Sequence, residues 1–345
     1  MKHEKDYGFF EKIKRKISDF FYGISVKLHK KSKEKDFAAA GRALTAGEKK
    51  KARAKELVCI WSFLVIPIID LCIFWVYGTI QSFPIAFEHH FNDGSMKYDF
   101  YNFEYLFQTI SEPGSIFLQS LVNTLKYFSF ALFVLTPLSF IMGYFLYKKV
   151  AGYKFFRYVF FLPSIVSSVI TAAFFRYIFG PGGQIPYLFE KLFGLKDVMF
   201  FADSKYAFKT LLFYNFYLGL TSNLIYWLAA FARIPEEIVE AGKIDGLSTM
   251  KEFRYIAFPL VLPFFSTMLL LMFTGILGAG GPALLLTGGA YGTYDLPFYL
   301  YKYTVSGTIS DQGITGAVGL VQGAVILPFT LIINKLVKKI EPVEY

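Results

Sequence analysis

The chain has 345 residues, 54% of them hydrophobic and 20% aromatic, and a net charge of +10. Soluble domains hold about 45–50% apolar residues. Here the excess is gathered into long uncharged runs, which excludes an ordinary water-soluble fold. Tyr127–Tyr147, Thr210–Ala232 and Gln312–Asn334 carry no charge. Each reaches the roughly 20 residues that cross a hydrocarbon core about 30 Å thick. Backbone groups in lipid must be satisfied within the spanning element, so the expectation is an all-α integral membrane protein.

The charge is concentrated at the start. Residues 1–56 hold 17 of the 36 Lys and Arg and only 8 of the 26 Asp and Glu. A basic segment beside a first membrane span follows the positive-inside rule and places this tail in the cytoplasm. Within it Phe10, Ile13, Ile17, Phe20, Phe21, Ile24 and Leu28 recur at helical spacing among lysines. That predicts an amphipathic helix near 9–30, suited either to the inner leaflet or to a partner subunit. Residues 33–55 are polar and read as a linker or solvated helix.

Six spans follow, near 57–80, 121–147, 157–179, 208–232, 259–280 and 314–335. The first run begins near Leu57, too late for a cleaved leader. Cys59 and Cys72 lie in span one about 20 Å apart along a helix, so they cannot pair and read as apolar filler. Asp70 is the one acid inside a span. Such a residue is a functional suspect, although it could equally cap a break at Pro67 or lie near the outer interface. His89-His90 falls in an outer loop and reads as a solvated turn. Basic residues cluster between spans two and three (Lys148, Lys149, Lys154, Arg157), between four and five (Arg233, Lys243, Lys251, Arg254), and after six (Lys335, Lys338, Lys339). They share the side of the tail, so both termini are expected to be cytoplasmic.

The loop 233–258 is a charged insert between two apolar runs. Pro235 suits a first helical position, and Glu236 and Glu237 suit the positive end of a helix dipole. Asp245-Gly246 supplies a left-handed stop, and Thr249–Glu252 has the form of a capping box opening a second helix. Phe258-Pro259 marks the return to the membrane. The predicted object is a helix, a glycine turn and a helix, rigid enough to transmit force.

Its spacing runs Glu240-Ala241-Gly242, three residues, Gly246, nine residues, Ile256, one residue, Phe258-Pro259. This resembles the cytoplasmic loop of ABC-transporter permeases, where Glu-Ala-Ala, three residues, Gly, nine residues, Ile, one residue, Leu-Pro is usual. Gly242 in place of the second Ala and Phe258 in place of Leu are departures, and Gly242 lowers helix propensity by about 1 kcal/mol. The resemblance covers roughly residues 57–342. Asn123-Thr124-Leu125, Leu162-Pro163, Gly182-Gly183-Gln184-Ile185 and Leu286-Thr287-Gly288-Gly289 are similar, in order, to the binding-protein-dependent sugar-importer type. The short 81–120 segment leaves no room for the large outer domain found in the first maltose permease subunit.

The resemblance implies a six-span type I ABC-importer permease fold with a cytoplasmic coupling loop, set in the cell membrane. It implies that Glu240, Ala241, Gly242, Asp245 and Gly246 engage a cytoplasmic ATPase. It also implies a second homologous permease subunit, two ATPase subunits and an extracytoplasmic solute-binding protein as partners. No phosphate loop is present, since Gly242-Lys243 is followed by Ile and residue 237 is Glu. ATP and Mg are therefore expected on the partner ATPase, with no cofactor, metal or catalytic residue in this chain.

Sugars are held by hydroxyls, amides and aromatic faces. Asn215, Thr221, Asn223 and Tyr226 in span four, Thr267 in span five and Gln322 in span six offer those groups, and each could equally make interhelical hydrogen bonds. A proton-coupled carrier working through Asp70, an importer permease for a non-sugar solute, and a scaffold recruiting partners through the basic tail are the other readings the residues allow.

Overall fold

The computed structural model describes residues 46–338 apart from 92 and 306. The basic tail before residue 46, with the helix expected near 9–30, lies outside the described residues. The chain divides into two compact units, Met1–Gly78 and Thr79–Tyr345.

The described part of the first unit is helical. α1 (Ala46–Asp70) passes through Pro67 without a break and runs into a π-helical turn, Leu71–Val76, and on into α2 (Tyr77–Ile85). Asp70 therefore caps nothing at Pro67, and its carboxylate makes no capping bond to the turn that follows it. Cys59 and Cys72 are free and exposed on this helix.

The described part of the second unit is mostly helical and holds one small ribbon, β1 (Glu88–His90) paired antiparallel with β2 (Met96–Tyr98). The helical class expected from the sequence holds, with this ribbon of two three-residue strands added to it. Asp93-Gly94 turns it, with Gly94 at φ +82°, a backbone that glycine adopts without a Cβ penalty. His89 is not a solvated turn residue. Its Nδ1 lies 3.2 Å from Asp99 Oδ2 and its ring stacks on Tyr101 at 3.8 Å.

Then come α3 (Tyr101–Ser111), α4 (Ile116–Phe130), α5 (Thr136–Tyr147), α6 (Tyr153–Ile165), α7 (Ser168–Phe179), α8 (Gln184–Phe193) and α9 (Ala207–Phe231). After these are α10 (Glu236–Ile244), α11 (Thr249–Glu252), α12 (Phe258–Thr274), α13 (Ala283–Leu286), α14 (Leu296–Val305) and α15 (Ile309–Val337).

Two of the π-turns have a shared cause. Ala131–Leu135 precedes Pro137, and Phe253–Ala257 precedes Pro259. A proline ring clashes with the carbonyl four residues back and offers no N–H. The helix widens there instead of breaking, with Thr136 N bonded to Ala131 O and Phe258 N to Phe253 O. Each long helix therefore continues, as Ile116–Tyr147 and Thr249–Thr274.

Span limits shift accordingly. Among the described residues, four helices are long and apolar enough to cross a membrane: Lys55–Ile85, Ile116–Tyr147, Thr249–Thr274 and Ile309–Val337. A further apolar stretch is bent: Tyr153–Ile165 and Ser168–Phe193 meet at 107°. The continuous span expected over 157–179 is interrupted at Val166–Ser167, where extended backbone and a serine before α7 replace helical turns. The 25-residue helix Ala207–Phe231 has the length, but its tyrosines, asparagines and hydroxyls leave it less apolar than those four. Span five begins ten residues earlier than expected and stops at Thr274, where Gly275 ends the helix.

Three buried clusters sit along the α4–α5 and α9 pair. A Cβ on Gly143 would fall 2.7 Å from Trp227 Cβ, and one on Gly219 would fall 2.6 Å from Leu135 Cδ2. These glycines let the two helices approach closely, as small residues do in membrane bundles. Trp227 Nε1 donates to Ser139 Oγ across the same seam.

At the opposite end from the charged loop, residues 275–295 are largely irregular, and side chains from the helices supply their partners. Asn123 Nδ2 donates to Gly292 O and Tyr294 O, both at 2.8 Å. Thr124 Oγ1 accepts from Leu296 N. Asn123→Leu would leave two buried carbonyls unpaired at about 1–3 kcal/mol. Its thermal unfolding in detergent should fall well below wild type, whereas Val122→Leu on the exposed face should leave it unchanged.

Candidate coupling segment and solute path

The charged loop folds largely as its residues dictate. Pro235 is the residue before the helix, in extended backbone, and not its first helical position. Glu236 and Glu237 occupy the first turn and Lys243 the last, a charge order that complements the helix dipole. Gly246 takes φ +75°. Leu247 N donates back to Gly242 O and Gly246 N to Lys243 O, closing the helix end.

One face of α10 is buried and the other is presented outward. Val239 joins the cluster of Phe231, Ala257 and Val261. Gly242 is buried too, and a Cβ there would lie 2.7 Å from Ile256 Cδ1 and 3.1 Å from Leu247 Cδ1. Gly242 therefore stands apart from the other expected ATPase-facing residues: it is the seat on which the start of span five packs. Glu240, Ala241, Asp245 and Gly246 are exposed, and Ile244 is 87% exposed beside them. An apolar side chain so placed on a charged knob was not singled out by spacing.

The expected capping box does not form. Ser248 is the residue before α11, and Glu252 turns away from the helix start. Glu252 is 4% exposed. Its Oε2 lies 2.7 Å and its Oε1 2.9 Å from Lys148 Nζ, and Tyr144 Oη donates to its Oε1 at 3.2 Å. A lysine in reach offers the carboxylate a stronger charge-assisted bond than a backbone N–H. Nor does Phe258-Pro259 mark a fresh return to the membrane, because Thr249–Thr274 is a single helix.

The solute-path candidates lie on three helices, α9, α12 and α15. Asn215 Nδ2 donates to Gly280 O at 3.2 Å, tying α9 to the irregular segment. Thr221 is buried and its hydroxyl donates to Tyr217 O of its own helix. Thr267 is exposed and bonds Pro263 O in the same way. Tyr226 is half exposed, and Asn223 and Gln322 are partly buried. Asn215 and Tyr226 share a stripe of α9 with Gly219 and Ser222, at helical spacings of four, three and four.

Two residues that spacing did not single out stand in or beside the irregular segment. Lys126, ten residues into α4, places Nζ 3.4 Å from Asn123 Oδ1 and 5.1 Å from the Phe208 ring centroid. Placing the start of span two at 121 rather than Ile116 hid how far inside the helix this cation lies. Asp295 is 1% exposed and accepts from Gly281 N and Phe298 N, both at 2.9 Å. It borders a cavity of about 330 Å³ with Gly278, Gly280, Gly281, Leu284 and Tyr301. Burial pushes its carboxyl above the ordinary carboxylate value, against the lowering effect of the two N–H donors. No group of three or more His, Cys, Asp or Glu suited to a metal occurs among the described residues.

The comparisons with known proteins converge on one family. Residues 135–342, more than half of the chain and including the whole charged loop 233–258, match the binding-protein-dependent transport system inner membrane component. The chain belongs to this family. It is 26% identical over 276 residues to the arabinooligosaccharides transport system permease protein AraP of Bacillus subtilis, covering 78% of this chain and 85% of that protein. It is 26% identical over 288 residues to the multiple sugar-binding transport system permease protein MsmF of Streptococcus mutans, covering 81% and 96%. Its fold matches a chain of a bacterial ABC transporter involved in import of the acidic polysaccharide alginate, with a TM-score of 0.69 at 21% identity, covering 85% and 99%. The fold is that of a type I ABC-importer permease, and the protein is the membrane permease component of such a system.

Two outcomes follow from this geometry. Gly246→Ala forces a Cβ into the left-handed region at about 1–2 kcal/mol. It should lower the unfolding temperature of the purified chain, and Gly246→Asn should lower it less. For Asp295 the folded-state carboxyl titrates above its unfolded value, so its neutral form favours the fold. The stability of wild type relative to Asp295→Asn should be greatest below about pH 4, the unfolded value, and decline as pH rises through the folded value. Unfolding temperatures of both proteins measured across that range check the sign.

Proposed function

We propose that this chain is the permease of an ATP-driven importer of a sugar or oligosaccharide. A second homologous permease would complete the path, two cytoplasmic ATPase subunits would bind ATP and Mg, and an extracytoplasmic binding protein would deliver solute. The bundle would cross six times, counting Ala207–Phe231 and the broken pair as one span each, with both termini cytoplasmic. Glu240, Ala241, Asp245 and Gly246 would be the surface read by an ATPase, with Gly242 holding the knob from behind.

One observation carries this reading. The outward face of α10 is charged and unpacked while its inner face is locked onto Ile256 of a helix that runs unbroken to Thr274. Displacement of the knob therefore becomes displacement of a membrane span, which is the mechanical requirement of a two-state pore driven from outside the bilayer. The sugar class is supported by the relatives' names and by the hydroxyl and amide groups of α9.

The test is purification of the tagged chain in mild detergent from its native membrane, followed by reconstitution and an uptake assay with labelled arabino-oligosaccharide and alginate oligosaccharide probes. The expected result is recovery of a second permease and an ATPase, with hydrolysis stimulated by loaded binding protein. Glu240→Lys should insert normally yet lose uptake by about tenfold or more, within the ordinary range of coupling energies. Uptake that needs no ATPase, or full uptake by Glu240→Lys, would overturn the proposal.

A further inference from the structure

Glu252 is a carboxylate removed from water at the first turn of span five's helix, and its partners come from another span. Lys148 follows the last residue of α5, and Tyr144 lies one turn earlier. The Lys148 side chain is 17% exposed and the Tyr144 residue 2%. Tyr144 Oη also lies 3.0 Å from Thr249 O, so its single proton is shared between that carbonyl and the carboxylate, and its ring packs on Phe253 at 4.8 Å and Phe231 at 5.5 Å. Two side chains of span two thus hold both the backbone and the carboxylate of α11.

An apolar contact of the same area would let two helices slide past one another. A buried ion pair does not, because separating it strands a charge in a poorly solvating site. Such a pair contributes little net stability compared with apolar residues of the same volume, and its best-attested use in other proteins is to fix a register.

We propose that Glu252, Lys148 and Tyr144 form a clasp that makes span two move with span five when the knob is displaced. This rests on the coupling reading of α10. Span five receives the motion through its own continuous helix, and span two receives it through the clasp. All three act as positioning residues, since none lies on the outward face of the knob.

The assay uses the full chain with its partner subunits in liposomes, in a Cys59→Ser, Cys72→Ser background. MgATP with vanadate is the probe that traps the ATPases. One environment-sensitive fluorophore is placed on span two through Val134→Cys and, in a separate protein, one on span five through Leu271→Cys; both positions are exposed. Trapping should change both signals when the clasp is intact. In Glu252→Gln or Lys148→Met the span-two response should fall by about fivefold or more, the low end of ordinary coupling, while the span-five response persists. That persistence also shows that the variant has folded and assembled. The exchange Lys148→Glu with Glu252→Lys should restore the span-two response.

An unchanged span-two response in Glu252→Gln overturns the clasp. So does a full response from Lys148→Met with Glu252→Leu, which keeps the packing and removes the charges. If neither reporter responds in the intact-clasp proteins although the ATPases are present and trapped, the coupling reading itself fails and the clasp with it.

Discussion

The close approach of α5 to α9 is the constraint on which the second unit depends. Gly143 and Gly219 remove the Cβ atoms that would hold the two backbones apart, and Trp227 and Leu135 fill the space. Between lipid-solvated helices the hydrophobic effect offers little net drive, so tight van der Waals contact and a few hydrogen bonds must hold the bundle. The Trp227–Ser139 bond belongs to the same seam. The charged loop hangs from one end of this pair and the irregular segment from the other, so both inherit its rigidity.

Irregular backbone is costly wherever water is excluded, and the segment after Thr274 shows how the chain meets that cost. Asn123, Thr124 and Asn215 reach across from the two long helices, while Asp295 gathers N–H groups from within the segment. Asn215 illustrates how a residue chosen for solute chemistry can have a structural duty as well. One N–H of its amide is engaged with Gly280 O, which leaves the second N–H and the carbonyl oxygen for the solute contact proposed for it. Thr221 has no such freedom, because its hydroxyl is buried and bonded to its own helix.

At the charged end the architecture is that of a lever. A short helix with an outward acidic and apolar face sits on a long helix, and Gly242 is the joint. The π-turns ahead of Pro137 and Pro259 keep both long helices continuous where a proline would otherwise break them. An unbroken helix passes displacement along its axis with little loss, whereas a break at Phe258 would have isolated the loop from the span.

Much of this was legible in the chain. Long uncharged runs, a basic tail and the Glu240–Pro259 spacing are local properties, set by hydrophobic periodicity, charge and turn chemistry, and they fix the helical class, the family and the helix–turn–helix form of the loop. What folding alone decided depends on partners distant in sequence. Glu252 has the spacing of a capping residue, yet Lys148, more than a hundred positions away, outcompetes a local N–H for it. Gly242 reads as a softer helix position and proves to be a packing seat, because nothing local announces Ile256. Pro163 is retained inside α6, while the span breaks just after Ile165, where no proline stands. Asp295 and Lys126 took on meaning only once the helices were assembled, since burial and proximity are properties of the folded chain. Local sequence sets what each segment can form, and the competition among segments for the same hydrogen bonds and the same space sets which residue does what.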